Sequence, residues 1–253
     1  MDKSSFSKEF PQTYEFFKDL KCSAWNEIIE HPDFCPSPKL EDYFTFVNQK
    51  IDKQSGKILG KKFWDASSIE QFLDYLAELQ IAHFLFKNIH PQPIIEFIKE
   101  GKDGTPDIRI RIGPKNVSIC VEVTRMRSKG SPIEQLMEGK LLQDQGEIVG
   151  VANIENVTEF ADKSFAGLLN KLIGKKSQLS NCKADYKIFA VDSGRWSIDS
   201  SYFEDTDRYP NLKSEFQSNV DGILFFGCKG EKKLFSFKSN LKGLIDNVEY
   251  YEK

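Results

Sequence analysis

The clearest patterning lies between residues 105 and 125, where "TPDIRIRIGPKNVSICVEVTR" alternates apolar and polar positions with a period of two. Such alternation predicts two strands joined by a short turn at Gly113 to Asn116. Ile108, Ile110 and Ile112 face one way and Asp107, Arg109 and Arg111 the other; Val117, Ile119, Val121 and Val123 then oppose Ser118, Cys120, Glu122 and Thr124. Asp107 and Glu122 each fall on the polar face of their strand. Upstream, "SSIEQFLDYLAELQIAHFLFKNI" places apolar residues around nearly the whole helix axis, which predicts a helix buried on most sides and capped by Ser67 or Ser68. Downstream, "FADKSFAGLLNKLIGKKSQL" predicts a second long helix that leads into the apolar run "YKIFAVDS". Strand, helix and strand in that order imply a parallel βαβ step.

Two further strands are expected in "DGILFFG" and "LFSFKS", on either side of the turn-like "CKGEKK". At the other end, "TYEFFKDLKCSAWNEIIE" is helical in spacing, and "CPSPKLED" reads as a loop before "YFTFVNQKI". The chain therefore divides, on pattern alone, into an N-terminal helical segment over residues 1–65 and an α/β domain over 66–253. No internal repeat or low-complexity tract interrupts it.

Composition narrows the class without naming it. Hydrophobic residues at 40% and charged residues at 29% suit a folded chain with a real core. A formal charge of -3 and a pI near 5.8 mean that a nucleic-acid partner would be gripped by a local basic patch, not by the overall field. The 5 cysteines are odd in number, widely spaced and without a CxxC pair, so reduced thiols in a cytoplasmic setting are expected. The start, "MDKSSFSKEFPQTYEFFKDLK", has no uninterrupted apolar core of the kind a secretion signal carries. His31, His83 and His90 lack ligand spacing and are assigned to core or surface.

Two acids on neighbouring strand faces are a chemically sufficient cradle for magnesium, and hydrolysis of a phosphodiester is one reaction that could use it. That reaction needs an activated water and positive charge on the phosphoryl oxygens, and magnesium held by one or two carboxylates supplies both. Asp107 and Glu122 are the candidate pair. On the long upstream helix Glu78 has Ile81, Ala82 and Leu85 at i+3, i+4 and i+7, so a carboxylate emerges on an apolar face where it needs a partner. Asp74, one turn earlier, could compete for its role.

A helix bearing Glu, "PD" opening a strand, "VEV" on the next strand, and a crossover helix with "KKSQL" before a hydrophobic strand together resemble the PD-(D/E)XK nucleases. The resemblance implies a restriction-endonuclease-like mixed central sheet flanked by helices, with residues 1–65 as a helical appendage. It also implies hydrolysis of nucleic acid with Mg2+, or Mn2+ in its place, and DNA rather than RNA as substrate. Carried over position by position, Asp107 corresponds to the aspartate of the "PD" element, Glu122 to the acid of the (D/E)XK element, and Glu78 to the first-helix glutamate; these three would hold the metal.

One departure matters: Thr124 stands where the family has a lysine. Arg125 points to the opposite strand face by parity. A replacement is expected from the crossover helix, where Lys175 precedes Gln178 in a K-x-x-Q spacing similar to that of divergent members. Lys171, Lys175 and Gln178 fall along one stripe, while Lys176 falls inside the apolar arc of Leu169, Leu172, Ile173 and Leu179, where it either acts in the site or snorkels to water. Arg125, Arg127, Lys129, Lys171 and Gln178 are candidates for nucleic-acid contact. Without the lysine charge, the alternative is an inactive nuclease-like fold that binds nucleic acid or a protein. A homodimer, or a protein partner at the N-terminal segment, would fit either reading.

Overall fold

In a computed structural model, the structure describes residues 7–18, 38–99, 104–113, 117–126, 154–193, 201–204, 212–227, 231–238 and 241–252. A seven-stranded mixed sheet runs through the chain in sequence order. Its strands are β1 (Ile94–Phe97), β2 (Ile108–Ile112), β3 (Val117–Arg125), β4 (Tyr186–Asp192), β5 (Gly222–Phe226), β6 (Lys232–Ser236) and β7 (Glu249–Glu252). The first three are antiparallel neighbours, β3, β4 and β5 are parallel, β6 returns antiparallel to β5, and β7 lies parallel to β6.

Helices cover both faces. On one side lie α1 (Pro11–Phe17), α2 (Pro38–Lys50), α3 (Lys53–Asp65) and α4 (Ile69–Asn88), whose Phe17, Phe44, Leu59, Phe63 and Leu85 share a core with Ile108, Ile110, Val121 and Val123 of the sheet. On the other lie α5 (Ile154–Ser180), α6 (Ser201–Glu204) and α7 (Leu212–Phe216), with Phe165, Leu172 and Phe216 against Phe189, Val191 and Phe225. The sequence alternation thus maps onto two cores, since successive residues of one strand enter opposite ones. The crossover from β3 through α5 to β4 is the expected parallel step, with Ile119 paired to Tyr186 and Arg125 to Asp192.

The predicted hairpin forms with Ile108 opposite Val121 and Ile112 opposite Val117. Gly113 opens its turn at φ 56°, a left-handed conformation that glycine adopts without a Cβ clash; Pro114 to Asn116 lie outside the described residues. The expected polar face of the second strand is not a solvent face. Cys120, Glu122 and Thr124 are all buried, because α5 packs over them.

Other expectations change as well. "CPSPKLED" is not a loop throughout: α2 starts at Pro38, which suits a first helical turn because no intrahelical donor is needed there. Two strands lacked a clear pattern: β1 follows a proline cluster with only four residues, and β7 reads "EYYE". Cys120 and Cys182, expected as reduced thiols, are joined as a disulfide that ties β3 to the end of α5, with Cα atoms 6.7 Å apart. Cys22, Cys35 and Cys228 lie outside the described residues. No described helix is long and apolar enough to cross a membrane.

Candidate active site

The site sits where β2 and β3 part company. Ile108 is the last β2 residue paired to β3, so Asp107 lies just beyond the ladder, level with Glu122. The Asp107 carbonyl accepts from Ile98 N–H at 2.9 Å, and its Oδ2 accepts from Val123 N–H at 2.8 Å. Those two bonds replace the missing ladder partners and hold the carboxylate across the fork between the strands.

Glu78 arrives from α4. Ser68 caps that helix by accepting from Gln71 N–H at 3.3 Å, and Phe72, Leu79, Ile81, Ala82 and Leu85 bury it against α2, α3 and the sheet. Glu78 is therefore carried into the core, 5% exposed, and its partner comes from α3. Lys62, in the last turn of α3, donates to Glu78 Oε2 at 2.6 Å and to Asp107 Oδ1 at 3.4 Å. Its own side chain is 7% exposed.

Glu122 faces α5. Lys175 Nζ donates to Glu122 Oε1 and, at 2.9 Å, to the Val123 carbonyl. With its amide nitrogen turned toward the carboxylate, Gln178 donates to Glu122 Oε1 at 2.7 Å and Oε2 at 2.9 Å. The K-x-x-Q spacing places both donors on one stripe, as predicted. Gly104 allows this arrangement: at φ 69° it passes so close to Gln178 that a Cβ would lie 2.7 Å from Cγ.

Three carboxylates and two ammonium groups thus share a small volume. Burial pushes Glu78 well above the ordinary carboxylate range, and Asp107 pushes it the same way, against the pull of Lys62. Burial, then Asp107, raises Glu122 to about 8 despite Lys175. Burial alone would lower Lys175, but Glu122, Asp107 and Glu78 outweigh it and raise its pKa. Burial raises the two glutamates and opposes the rise of the lysine, while the negative charge of neighbouring acids pushes all three upward.

A cleft of about 270 Å³ opens onto this cluster, with Asp74, Tyr75, Glu78, Asp107, Arg125, Lys171 and Lys175 among its lining residues. Arg125 is not a free cation there. Its Nε donates to Asp74 Oδ1 at 3.0 Å and its Nη2 to both the carboxylate and the carbonyl of Glu70, so Asp74 is a partner of Arg125 and not a rival of Glu78. Lys171 Nζ reaches the Arg125 carbonyl at 3.4 Å.

Against protein-family models, curated proteins and solved structures, the chain has no match.

Of the remaining candidates, Lys176 does not join the cluster. Its Nζ donates to the Glu215 carbonyl at 2.6 Å and lies over the Phe216 ring, so it snorkels along α7 to the surface. Thr124 is 1% exposed, and its hydroxyl is among the buried polar atoms without a hydrogen-bond partner. Arg127 and Lys129 lie outside the described residues. His83 is half-buried and packs against Tyr43 and Phe46, and burial lowers its pKa to about 4, so it is neutral at pH 7.

Lys62 is the functional candidate that sequence reasoning missed. A signal existed: Ser55, Leu59, Lys62 and Phe63 recur at helical spacing, which puts the lysine on the inward stripe of α3. An inward lysine at the end of an apolar stripe, with a buried glutamate nearby in sequence, is an ion pair waiting for its second helix.

Proposed function

We propose that this protein is a divalent-metal-dependent nuclease of the PD-(D/E)XK type, with a restriction-endonuclease-like fold, acting on DNA. The observation that carries the reading is the convergence of Asp107 from the fork of the hairpin, Glu122 from its second strand, Glu78 from the preceding helix and Lys175 from the crossover helix. Four segments spread along the chain bring together, beside a cleft that Glu78, Asp107 and Lys175 line, the residue types that phosphodiester hydrolysis requires, in the order that the resemblance implies.

The donor set fits magnesium chemically. Among the described residues no group of three or more His, Cys, Asp or Glu forms a ready cage, but Mg2+ usually takes only one or two protein carboxylates and keeps its waters. Asp107 and Glu122 are such a pair, with Glu78 behind them: Asp107 Oδ1, Asp107 Oδ2 and Glu122 Oε2 each accept one hydrogen bond and keep a lone pair, while Glu122 Oε1 already accepts from both Lys175 and Gln178. The unpartnered hydroxyl of Thr124, two residues along the same strand face as Glu122, is a further oxygen nearby. Bound there, the ion would activate water and neutralise phosphoryl charge.

The chain's own residues do the rest. Lys175 takes the part of the lysine that Thr124 lacks, reaching the acid from a helix instead of from the strand. Lys171 and Lys175 present positive charge to a phosphate entering the cleft, and Arg125, tied to Glu70 and Asp74, keeps that wall in place. Glu78 and Lys62 hold Asp107 from behind.

The test is direct. Circular DNA, linear DNA and RNA are incubated with the protein at several Mg2+ and Mn2+ concentrations, beside an Asp107→Ala, Glu122→Ala double variant. Cleavage of DNA by wild type and none by the variant supports the nuclease; equal activity in both sinks it. A second reading is a nuclease-like module that binds nucleic acid or protein without cutting. It is favoured by the pairing of Lys175 with Glu122 and by the neutral Thr124, and metal-insensitive DNA binding without cleavage would select it.

A further inference from the structure

Lys62 lies between two of the three carboxylates, and its placement bears on how many ions the site takes. Its ammonium touches Glu78 Oε2 at 2.6 Å and Asp107 Oδ1 at 3.4 Å. Both its own side chain and that of Glu78 are 7% exposed, so neither charge can turn to water without leaving the core. In a two-metal phosphodiesterase a second divalent cation would supply positive charge to the acids of the site.

We propose that Lys62 is a positioning residue that stands in for a second metal ion: it holds Glu78 and Asp107 together permanently, and the site takes one divalent cation, on the Asp107 and Glu122 side. This inference rests on the nuclease reading and deepens it. Charge supports it, because Lys62 already supplies positive charge between Glu78 and Asp107. Geometry supports it too, because Lys62 comes from α3, which Leu59 and Phe63 anchor in the core, both fully buried. Its ammonium therefore occupies the space between the acids by virtue of the fold and is not a mobile surface charge.

Isothermal calorimetry with Mn2+ on the full chain decides the matter, with wild type, Lys62→Met and Lys62→Arg compared at the same pH. Wild type and Lys62→Arg should each bind one ion per chain, and Lys62→Met two, because the pair Glu78 and Asp107 is then open to a second cation. If Lys62→Met does not fold, Lys62→Gln, which keeps a donor to Glu78 while losing the charge, carries the same expectation. One ion in wild type and still one in the neutral variant overturns the role of Lys62 and leaves the nuclease reading standing. Two ions in wild type overturn it as well. No binding by any of the proteins removes the nuclease reading and this inference together. Binding only after Lys62 is neutralised would show the lysine as the cation of the acidic pair while removing the metal-dependent activity.

Discussion

At the scale of single residues, the carboxylates are set against the stability of the chain. Glu122 holds its proton up to about pH 8 in the folded protein, while in the unfolded chain a glutamate ionises near 4.3. Between those values the folded state binds more protons, so this group makes stability fall as pH rises from about 4 to about 8, and the contribution is flat above. Glu122→Gln removes that slope. It also removes the cost of ionising a buried glutamate beside Asp107, so the metal-free variant should be more stable than wild type at pH 8 by roughly 2–4 kcal/mol. Thermal melts across pH 5 to 9 measure this; a variant that melts lower than wild type at pH 8 would show that the Lys175 pair stabilises more than ionising the buried glutamate costs. Mg2+ should raise the wild-type midpoint and leave that of the variant unmoved. The two adjacent lysines of α5 separate by the same logic. Lys175→Met should lower DNA cleavage about 100-fold or more, as loss of a preorganised positive group does, and Lys176→Met should change it by no more than a few-fold, since its ammonium is spent on α7. Cleavage rates at saturating metal compare them, and equal losses would put the assignment of Lys175 in error.

At the scale of elements, each acid is delivered by an interaction that ends or interrupts regular structure. Asp107 is available because β2 begins one residue after it, at Ile108, and its side chain then bonds the Val123 N–H that the ladder leaves open. Arg125, at the last position of β3, clamps the first turns of α4 through Glu70 and Asp74 with 12% of its side chain exposed. Arg125→Ala should therefore cost about 1–3 kcal/mol in urea unfolding and loosen the helix that carries Glu78; an unchanged midpoint would mean the clamp is only a surface pair. Much of this was legible before the fold was seen. Period-two alternation predicts both strands of the hairpin and the facing of their side chains, and K-x-x-Q predicts the stripe that reaches Glu122, because both signals depend on geometry internal to one element. What the pattern could not give is what one element does to another. Lys176 and Lys62 look alike in sequence, each a lysine among apolar neighbours, yet α7 draws one to the surface while α4 traps the other. The burial of Glu122 and Thr124 likewise comes from α5 covering a face whose alternation reads as solvent-exposed. Short β1 and β7 are strands because neighbours offer hydrogen bonds, and their own residues say little.

At the scale of the whole molecule, the helices of residues 1–65 are a layer of the fold as well as an appendage to its sequence. Phe17, Phe44, Phe63 and Phe72 meet in one aromatic cluster, with ring centroids 4.9 to 6.1 Å apart in the pairs they form. That cluster is continuous with the core beneath β1, β2 and β3. Removing the segment would bare the apolar face of α4 and of the strands that carry the site, at about 25 cal/mol for each Å² of apolar surface returned to water, and would strip Glu78 of Lys62. A buried carboxylate left without its cation costs about 3–5 kcal/mol by itself, which is a large share of what a domain of this size has to lose. A chain beginning at residue 66 should therefore be insoluble or lack a cooperative melt, and Phe63→Ala in the full chain should lower stability by about 3–5 kcal/mol without touching an acid. Circular dichroism melts of both report the outcome. A truncated chain that melts cooperatively, with the same acids still binding metal, would mean that the two cores fold independently and that Lys62 reaches into a site already complete without it.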